Sequence, residues 1–209
     1  MKTKNVIAAI CLTMALMGCK KEKGSIQTND DETLVLETGS KATWRGYLET
    51  GYFNQGTIGL KGEELTIEGD KITGGEIQIS VGSILVTNEG MPEENKNELR
   101  EHLQTVDFFN LAKYPFVTYK IDAAEKTGKI DAEGNNYLIK GSLNLIGKSL
   151  PLDIPAKINI TETDVKVISK FKFDRTKWGM AFASQPNLPA KDKIKNDIEV
   201  ELELKAIRF

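Results

Sequence analysis

Apolar and polar residues alternate along most of this chain with a period of two. Ile58 and Leu60 alternate with Thr57, Gly59 and Lys61, and Ile77, Ile79 and Val81 with Glu76, Gln78 and Ser80. Val117, Tyr119 and Ile121 share one face; Tyr137, Ile139, Leu143 and Leu145 share another. Leu150, Leu152, Ile154, Ala156, Ile158 and Ile160 recur every second residue, as do Val165, Val167, Phe171 and Phe173. At the end of the chain Ile198, Val200, Leu202, Leu204 and Ala206 oppose Asp197, Glu199, Glu201, Glu203 and Lys205. This period predicts strands packed on one face and wet on the other. Turn signals such as Glu68-Gly69-Asp70 and Glu133-Gly134-Asn135-Asn136 separate them. The pattern predicts an all-β chain of about eight or nine antiparallel strands. A single sheet of that length would expose its apolar face, so closure into a barrel or folding into a sandwich is expected.

One segment departs from this period. Asn95 with Glu98 three residues later is a capping arrangement for a helix expected over residues 95–108. Leu99, Leu103 and Val106 fall on one stripe of it. Such a helix would cover the mouth or edge of a barrel, and the longer loops at 88–97 and 182–196 would frame the opening or the opposite end.

The first 18 residues read as a signal peptide. Lys2 and Lys4 precede an apolar stretch over residues 6–17, and Gly18 stands before Cys19. Twelve residues span about 18 Å as a helix, well short of the roughly 30 Å hydrocarbon core. Leu16-Met17-Gly18-Cys19 resembles the lipobox of bacterial lipoproteins, whose cysteine is diacylated and becomes the new N-terminus. An ordinary cleaved signal with an incidental cysteine is the weaker alternative. Residues 19–37 are expected as a tether, being polar and charged over 20–31 without apolar periodicity, and residues 38–209 as the folded domain. Cys11 would leave with the signal, so neither a disulfide nor a thiolate metal site is expected. The expected location is the cell envelope, held to a membrane through Cys19 and facing the periplasm or the cell surface. Lys20, in place of the aspartate that retains some lipoproteins in the inner membrane, favours the outer membrane.

Composition narrows the chemistry. Removing the signal takes the formal charge from −2 to −4 by the loss of Lys2 and Lys4. No basic face interleaved with aromatics is present, so nucleic acid is not an expected partner. There is a single histidine, and no G-x-S-x-G, P-loop or G-x-G-x-x-G sequence. Most carboxylates occupy the alternating polar positions of a solvated strand face. Neither catalysis nor a metal or cofactor is expected. His102 points partly toward the buried side of the helix and reads as a packing residue ahead of a ligand contact. Arg175 follows Phe171 and Phe173 on the same strand parity, so it needs a partner. Asp107, Glu101 or an anionic ligand head group are the candidates. Trp44, Trp178, Phe108, Phe109, Tyr114 and Phe116 read as core, or as the lining of an apolar cavity.

Taken together, these segments resemble the YceI-like family of exported bacterial proteins. The resemblance runs through Ser40-Lys41-Ala42-Thr43-Trp44-Arg45-Gly46 with Gly56-Thr57-Ile58, then Thr73-Gly74-Gly75-Glu76-Ile77-Gln78-Ile79. It continues through Leu99-Arg100-Glu101-His102-Leu103, Asp107-Phe108-Phe109 and Tyr114-Pro115-Phe116. Gly141-Ser142-Leu143-Asn144-Leu145-Ile146-Gly147 with Pro151, and Phe173-Asp174-Arg175-Thr176-Lys177-Trp178-Gly179-Met180, complete it. Ile146, Asn144 and Leu150 stand where the family pattern has histidine, threonine and lysine. The resemblance implies a lipocalin-like antiparallel eight-stranded β-barrel with one short helix covering it. It further implies a long polyisoprenoid or similar lipid held in a tubular apolar cavity. On that basis His102, Asp107 and Arg175 are expected near the polar end, with Trp44, Phe108, Phe109 and Trp178 lining or closing the cavity. A carrier or sequestering protein is the leading expectation. An envelope stress or adhesion accessory acting through protein partners comes second, and a lipid hydrolase or isomerase last.

Overall fold

The computed structural model describes residues 32–209; the expected signal peptide, Cys19 and most of the tether lie outside the described residues. In chain order the elements are β1 (Glu32–Leu36), β2 (Lys41–Leu48), β3 (Phe53–Glu68), β4 (Lys71–Val86) and α1 (Glu93–Leu103). There follow β5 (Phe116–Lys126), β6 (Tyr137–Leu145), β7 (Lys148–Pro151), β8 (Ile154–Ile160), β9 (Asp164–Asp174), a 3-10 turn (Arg175–Trp178) and β10 (Ile194–Arg208). All pairings are antiparallel. The strands run β10-β2-β3-β4-β5-β6-β8-β9, and β9 pairs back onto β10. The sheet is therefore a closed eight-stranded barrel, as expected, and not a sandwich.

Ten strands make eight staves because two staves are broken. β1 pairs with both β10 and β3 beyond the start of β2, so β1 and β2 share one position in the ring. β7 and β8 both pair with β6 and share another. The expected tether over 19–37 is corrected at its C-terminal end, because Glu32–Leu36 is a strand of the barrel wall. Its own alternation decides this: Leu34 is buried while Thr33 and Val35 face out, and its edge finds backbone partners on both sides.

The inward face is apolar along each stave. Ala42 on β2, Ile58 on β3, Val117 and Tyr119 on β5 and Leu143 and Leu145 on β6 are all buried. On the outer face, cross-strand pairs join Lys172 to Glu199 at 2.7 Å and Lys170 to Glu201 at 3.0 Å. The end of the barrel formed by β1 and the β3–β4 turn is plugged by side chains. Leu34, Leu65, Ile67, Ile72, Ala156 and Val165 are buried there, brought level by the pairings Leu34↔Leu65, Ile67↔Ile72 and Val165↔Ala206.

At the other end α1 packs against β4. It is shorter than the helix expected over 95–108, and its start differs too. Pro92 stands at the N-cap and Glu93 and Glu94 in the first turn, with no side-chain cap, so Asn95 lies inside the helix. The acidic pair suits the positive end of the helix dipole, and a proline lacks only an N–H the first turn leaves unused. The helix stops at Leu103, where Thr105 turns back to His102 through both its N–H (3.0 Å) and its hydroxyl (2.8 Å). Val106 consequently leaves the expected stripe and is exposed.

Candidate functional site

Between the plugged end and the helix the barrel holds two adjoining chambers, of about 140 Å³ and about 130 Å³. Trp44, Phe109, Leu145, Phe173 and Ile198 line both, so the chambers form one passage along the barrel. The inner chamber is walled by apolar side chains from nearly every stave, including Leu60, Ile79, Phe171, Val200, Leu202 and Leu204. Tyr119 is its one hydroxyl, and that hydroxyl is turned away into the wall, donating to the Leu152 carbonyl at 2.8 Å. Burial raises the Tyr119 pKa well above the ordinary phenol value, aided by Asp153 and Asp122, so the group is a neutral donor at physiological pH.

The outer chamber lies under the helix and carries the polar atoms. Leu99 and Leu103 of α1 and Phe108 and Phe109 of the following turn form its lid, and Asn54, Tyr47, Tyr52 and Arg175 contribute to its wall. Trp44 and Asn54 occupy inward positions on adjacent strands, through the pairings Trp44↔Gly56 and Gly46↔Asn54. Their Nε1 and Oδ1 atoms are buried with no hydrogen-bond partner among the described residues.

Arg175 is 1 % exposed, and its partners correct the expectation of an acidic one. Its guanidinium donates to four backbone carbonyls: Met180 at 2.6 Å, Phe182 at 2.9 Å, and Ile194 and Lys195 at 3.4 Å each. Glu101 instead lies 3.8 Å from Arg100, and Asp107 pairs with His102. Burial pulls the Arg175 pKa below the ordinary guanidinium value, with Asp174 opposing. A guanidinium nonetheless keeps its charge, here spread over carbonyl dipoles that fasten residues 180–183 to the start of β10.

His102 is partly exposed; its Nε2 meets Asp107 Oδ2 at 3.0 Å. The imidazole stands edge-on to Phe108 (5.1 Å) and to Phe182 (4.9 Å), and the two phenyl rings lie 5.3 Å apart. Phe182 thus joins the two groups of expected residues: its ring touches His102 and Phe108, and its carbonyl accepts from Arg175. The sequence places Phe182 only in a framing loop, because a single aromatic between two alanines carries no periodicity. Trp178 lines neither chamber. It is buried beside β6, donating from Nε1 to the Leu143 carbonyl at 2.8 Å and standing edge-on to Phe173 at 5.5 Å. Of the seven expected ligand-binding residues, the structure puts Trp44, Phe108, Phe109 and Arg175 on the passage wall, His102 and Asp107 at the rim of its lid, and Trp178 behind the wall.

Among the described residues no three His, Cys, Asp or Glu side chains gather to hold a metal ion, and no helix is long and apolar enough to cross a membrane. The family described as the YceI-like domain matches residues 35–206. A "UPF0312 protein" of Azotobacter vinelandii is 23% identical over 154 residues, covering 74% of this chain and 72% of its own length. Among solved structures, BcnA of Burkholderia cenocepacia is similar with a TM-score of 0.58 and 15% identity, over 79% of this chain and 95% of its own. A polyisoprenoid binding domain from Saccharophagus degradans, implicated in plant cell wall breakdown, gives 0.57 and 15%, over 84% and 98%.

Proposed function

This chain belongs to the YceI-like domain family, and from that membership we propose that it binds one long, slender apolar lipid of polyisoprenoid type, as a carrier or sequestering protein rather than an enzyme. The observation that carries the reading is the passage itself. Its inner chamber is walled by apolar side chains, with polar atoms confined to the end under the helix. An isoprenoid tail there gains roughly 25 cal/mol per Å² of apolar surface removed from water. A barrel of eight strands is just wide enough for one such chain. The similar fold of a domain named for polyisoprenoid binding supports the same ligand class.

The sequence adds a location. The signal-like residues 1–18 and Cys19 support export and lipid anchoring, which would hold the passage beside the bilayer from which such a ligand comes. Mass spectrometry of organic extracts from the full-length protein, purified from its own host, tests the binding. A long isoprenoid or comparable lipid recovered near one per chain is the expected result, and reproducible absence of lipid would overturn it. Cys19→Ser tests the anchor: the substituted protein should leave the membrane fraction, and its retention there would refute anchoring.

A further inference from the structure

We propose that the lipid enters and leaves through the side of the barrel, by a port between β7 and β9. This inference rests on the reading of the passage as a lipid site and assigns the route into it.

The stave made of β7 and β8 meets β9 along only part of its length. β8 pairs with β9 from Lys157↔Ile168 to Ile160↔Val165. Among the described residues β7 pairs with β6 alone, and residues 169–174 of β9 pair only with β10. Proline accounts for the interruption. The backbone of Pro155 faces β9, its carbonyl accepting from Ser169 Oγ at 2.6 Å, but it has no N–H to give in return. Pro151 shares that parity, since the intervening Leu152 turns its N–H the other way, to the Gly141 carbonyl at 3.0 Å.

A cleft of about 280 Å³ occupies the gap. Leu150, Pro151 and Leu152 form one side of it, Lys172 and Phe173 the other, and the 3-10 turn adds Trp178. Leu152 and Phe173 line the inner chamber as well, so these two side chains stand between the cleft and the passage. The gap is tied only at its ends, by Ser169 to Pro155 and by Lys148 Nζ to the Lys177 carbonyl at 2.5 Å.

The other ways in are harder to open. Parting two paired strands breaks a row of backbone hydrogen bonds and leaves their groups unpaired. Leu34, Leu65 and Ile67 fill the plugged end. At the helix end Phe108 is packed against His102 and Phe182, in a segment that Arg175 fastens. Across the cleft no backbone hydrogen bond runs among the described residues. Rotamer changes of Leu152 and Phe173, both half-buried, open it without moving a strand.

The test uses the full chain and all-trans-retinol, a slender isoprenoid whose fluorescence rises when it leaves water, in stopped-flow mixing. Pro151→Cys and Lys172→Cys are introduced together, and a bis-maleimide bridges them across the cleft in the already folded protein. Peptide mass spectrometry confirms the bridge, and the unbridged double variant is the reference. Bridging should slow uptake and release alike, on the order of tenfold, with Kd nearly unchanged, because a port acts equally in both directions. Leu152→Ala, which trims the gate, should raise the association rate, whereas loss of a tail contact alone would raise only the release rate. Unchanged rates in the bridged protein would overturn side entry and direct the lipid to the end under α1, leaving the lipid reading standing. Faster release at an unchanged association rate in Leu152→Ala would make Leu152 a lining residue and overturn the gate. Failure of the unmodified protein to bind retinol would overturn the lipid reading together with this one.

Discussion

The Trp44 indole lies over Gly56 of the adjoining strand so closely that a β-carbon at residue 56 would sit 2.6 Å from Trp44 Cζ2 and 1.8 Å from the Leu85 carbonyl oxygen. The first contact is with a ring held in the passage wall, the second with backbone of β4, so neither yields easily. Gly56→Ala should destabilise the barrel by about 2–3 kcal/mol, the upper part of the roughly 1–3 kcal/mol usual for overpacking a rigid interior. Urea unfolding with an unchanged slope and a lowered midpoint is the expected observation. Wild-type stability would mean that the indole has another seat available to it.

Arg175 carries a second prediction, because its guanidinium ties two stretches of backbone, residues 180–182 and the start of β10, to the 3-10 turn that holds it. Its acceptors lie at Met180, Phe182, Ile194 and Lys195. Arg175→Met keeps apolar bulk and strands four carbonyls, and a charged hydrogen bond contributes about 1.5–3 kcal/mol. The variant should lose at least about 2 kcal/mol. Hydrogen exchange should rise at residues 179–194 before it rises in β3 or β4. Uniform exchange throughout the barrel would contradict a local fastening role.

Much of this architecture was readable from the period of two, since one wet face and one dry face determine which side chains enter a closed sheet. Ile198, Val200, Leu202 and Leu204 were assigned to one face by alternation, and all four line the inner chamber. The broken staves were not readable, because a break in one strand is set by where its neighbours end. Leu34 and Leu36 give too short an alternation to announce β1 against a polar background. The inward parity of Arg175 was legible, but its partners were not, since backbone carbonyls have no signature in a sequence. Asn54 shares the parity of Gly56, Ile58 and Leu60, which places it inside. A polar residue at an inward register position was the available signal. Aromatic character and neighbours alone point Trp178 toward the lining, but its position just after β9, in a 3-10 turn, takes it out of the strand parity that selects the lining.

Filling the passage should separate binding from folding. Val200 lies mid-barrel on β10, opposite Trp44 on one side and Phe171 on the other, and its side chain lines the inner chamber. Val200→Trp places an indole where a lipid tail would run, using space already present. Lipid recovered with the purified variant should fall by on the order of tenfold, while the thermal midpoint moves by only a few degrees. Unchanged lipid content in a folded variant would place the tail elsewhere.

Attachment of β1 should depend on pH through one ion pair. Glu32 accepts from Arg208 Nε at 2.8 Å and from Nη2 at 2.6 Å. The hydrogen bonds from Arg208 hold the Glu32 carboxyl below its ordinary value of 4.5, against the opposing effect of burial and with the charge of Arg208 adding to them. A carboxyl depressed in the folded state binds protons more readily once the strand is released. Its stabilisation is therefore complete above the ordinary carboxylate range and disappears as pH falls through the depressed value. The pair is partly buried at the edge of the barrel and ties down only the first strand, so the effect belongs to the local opening of β1 rather than the global transition. Thr33 reports on it directly, its N–H donating to the Phe209 carbonyl at 3.3 Å. Hydrogen exchange at Thr33, corrected for the intrinsic pH dependence, should show protection steady from pH 7 to about pH 5 and falling toward about pH 3. Glu32→Gln should show the lower protection already at pH 7 and little further change on acidification. Equal protection at both ends of that range in the wild-type protein would mean that β1 is held by its backbone pairing alone.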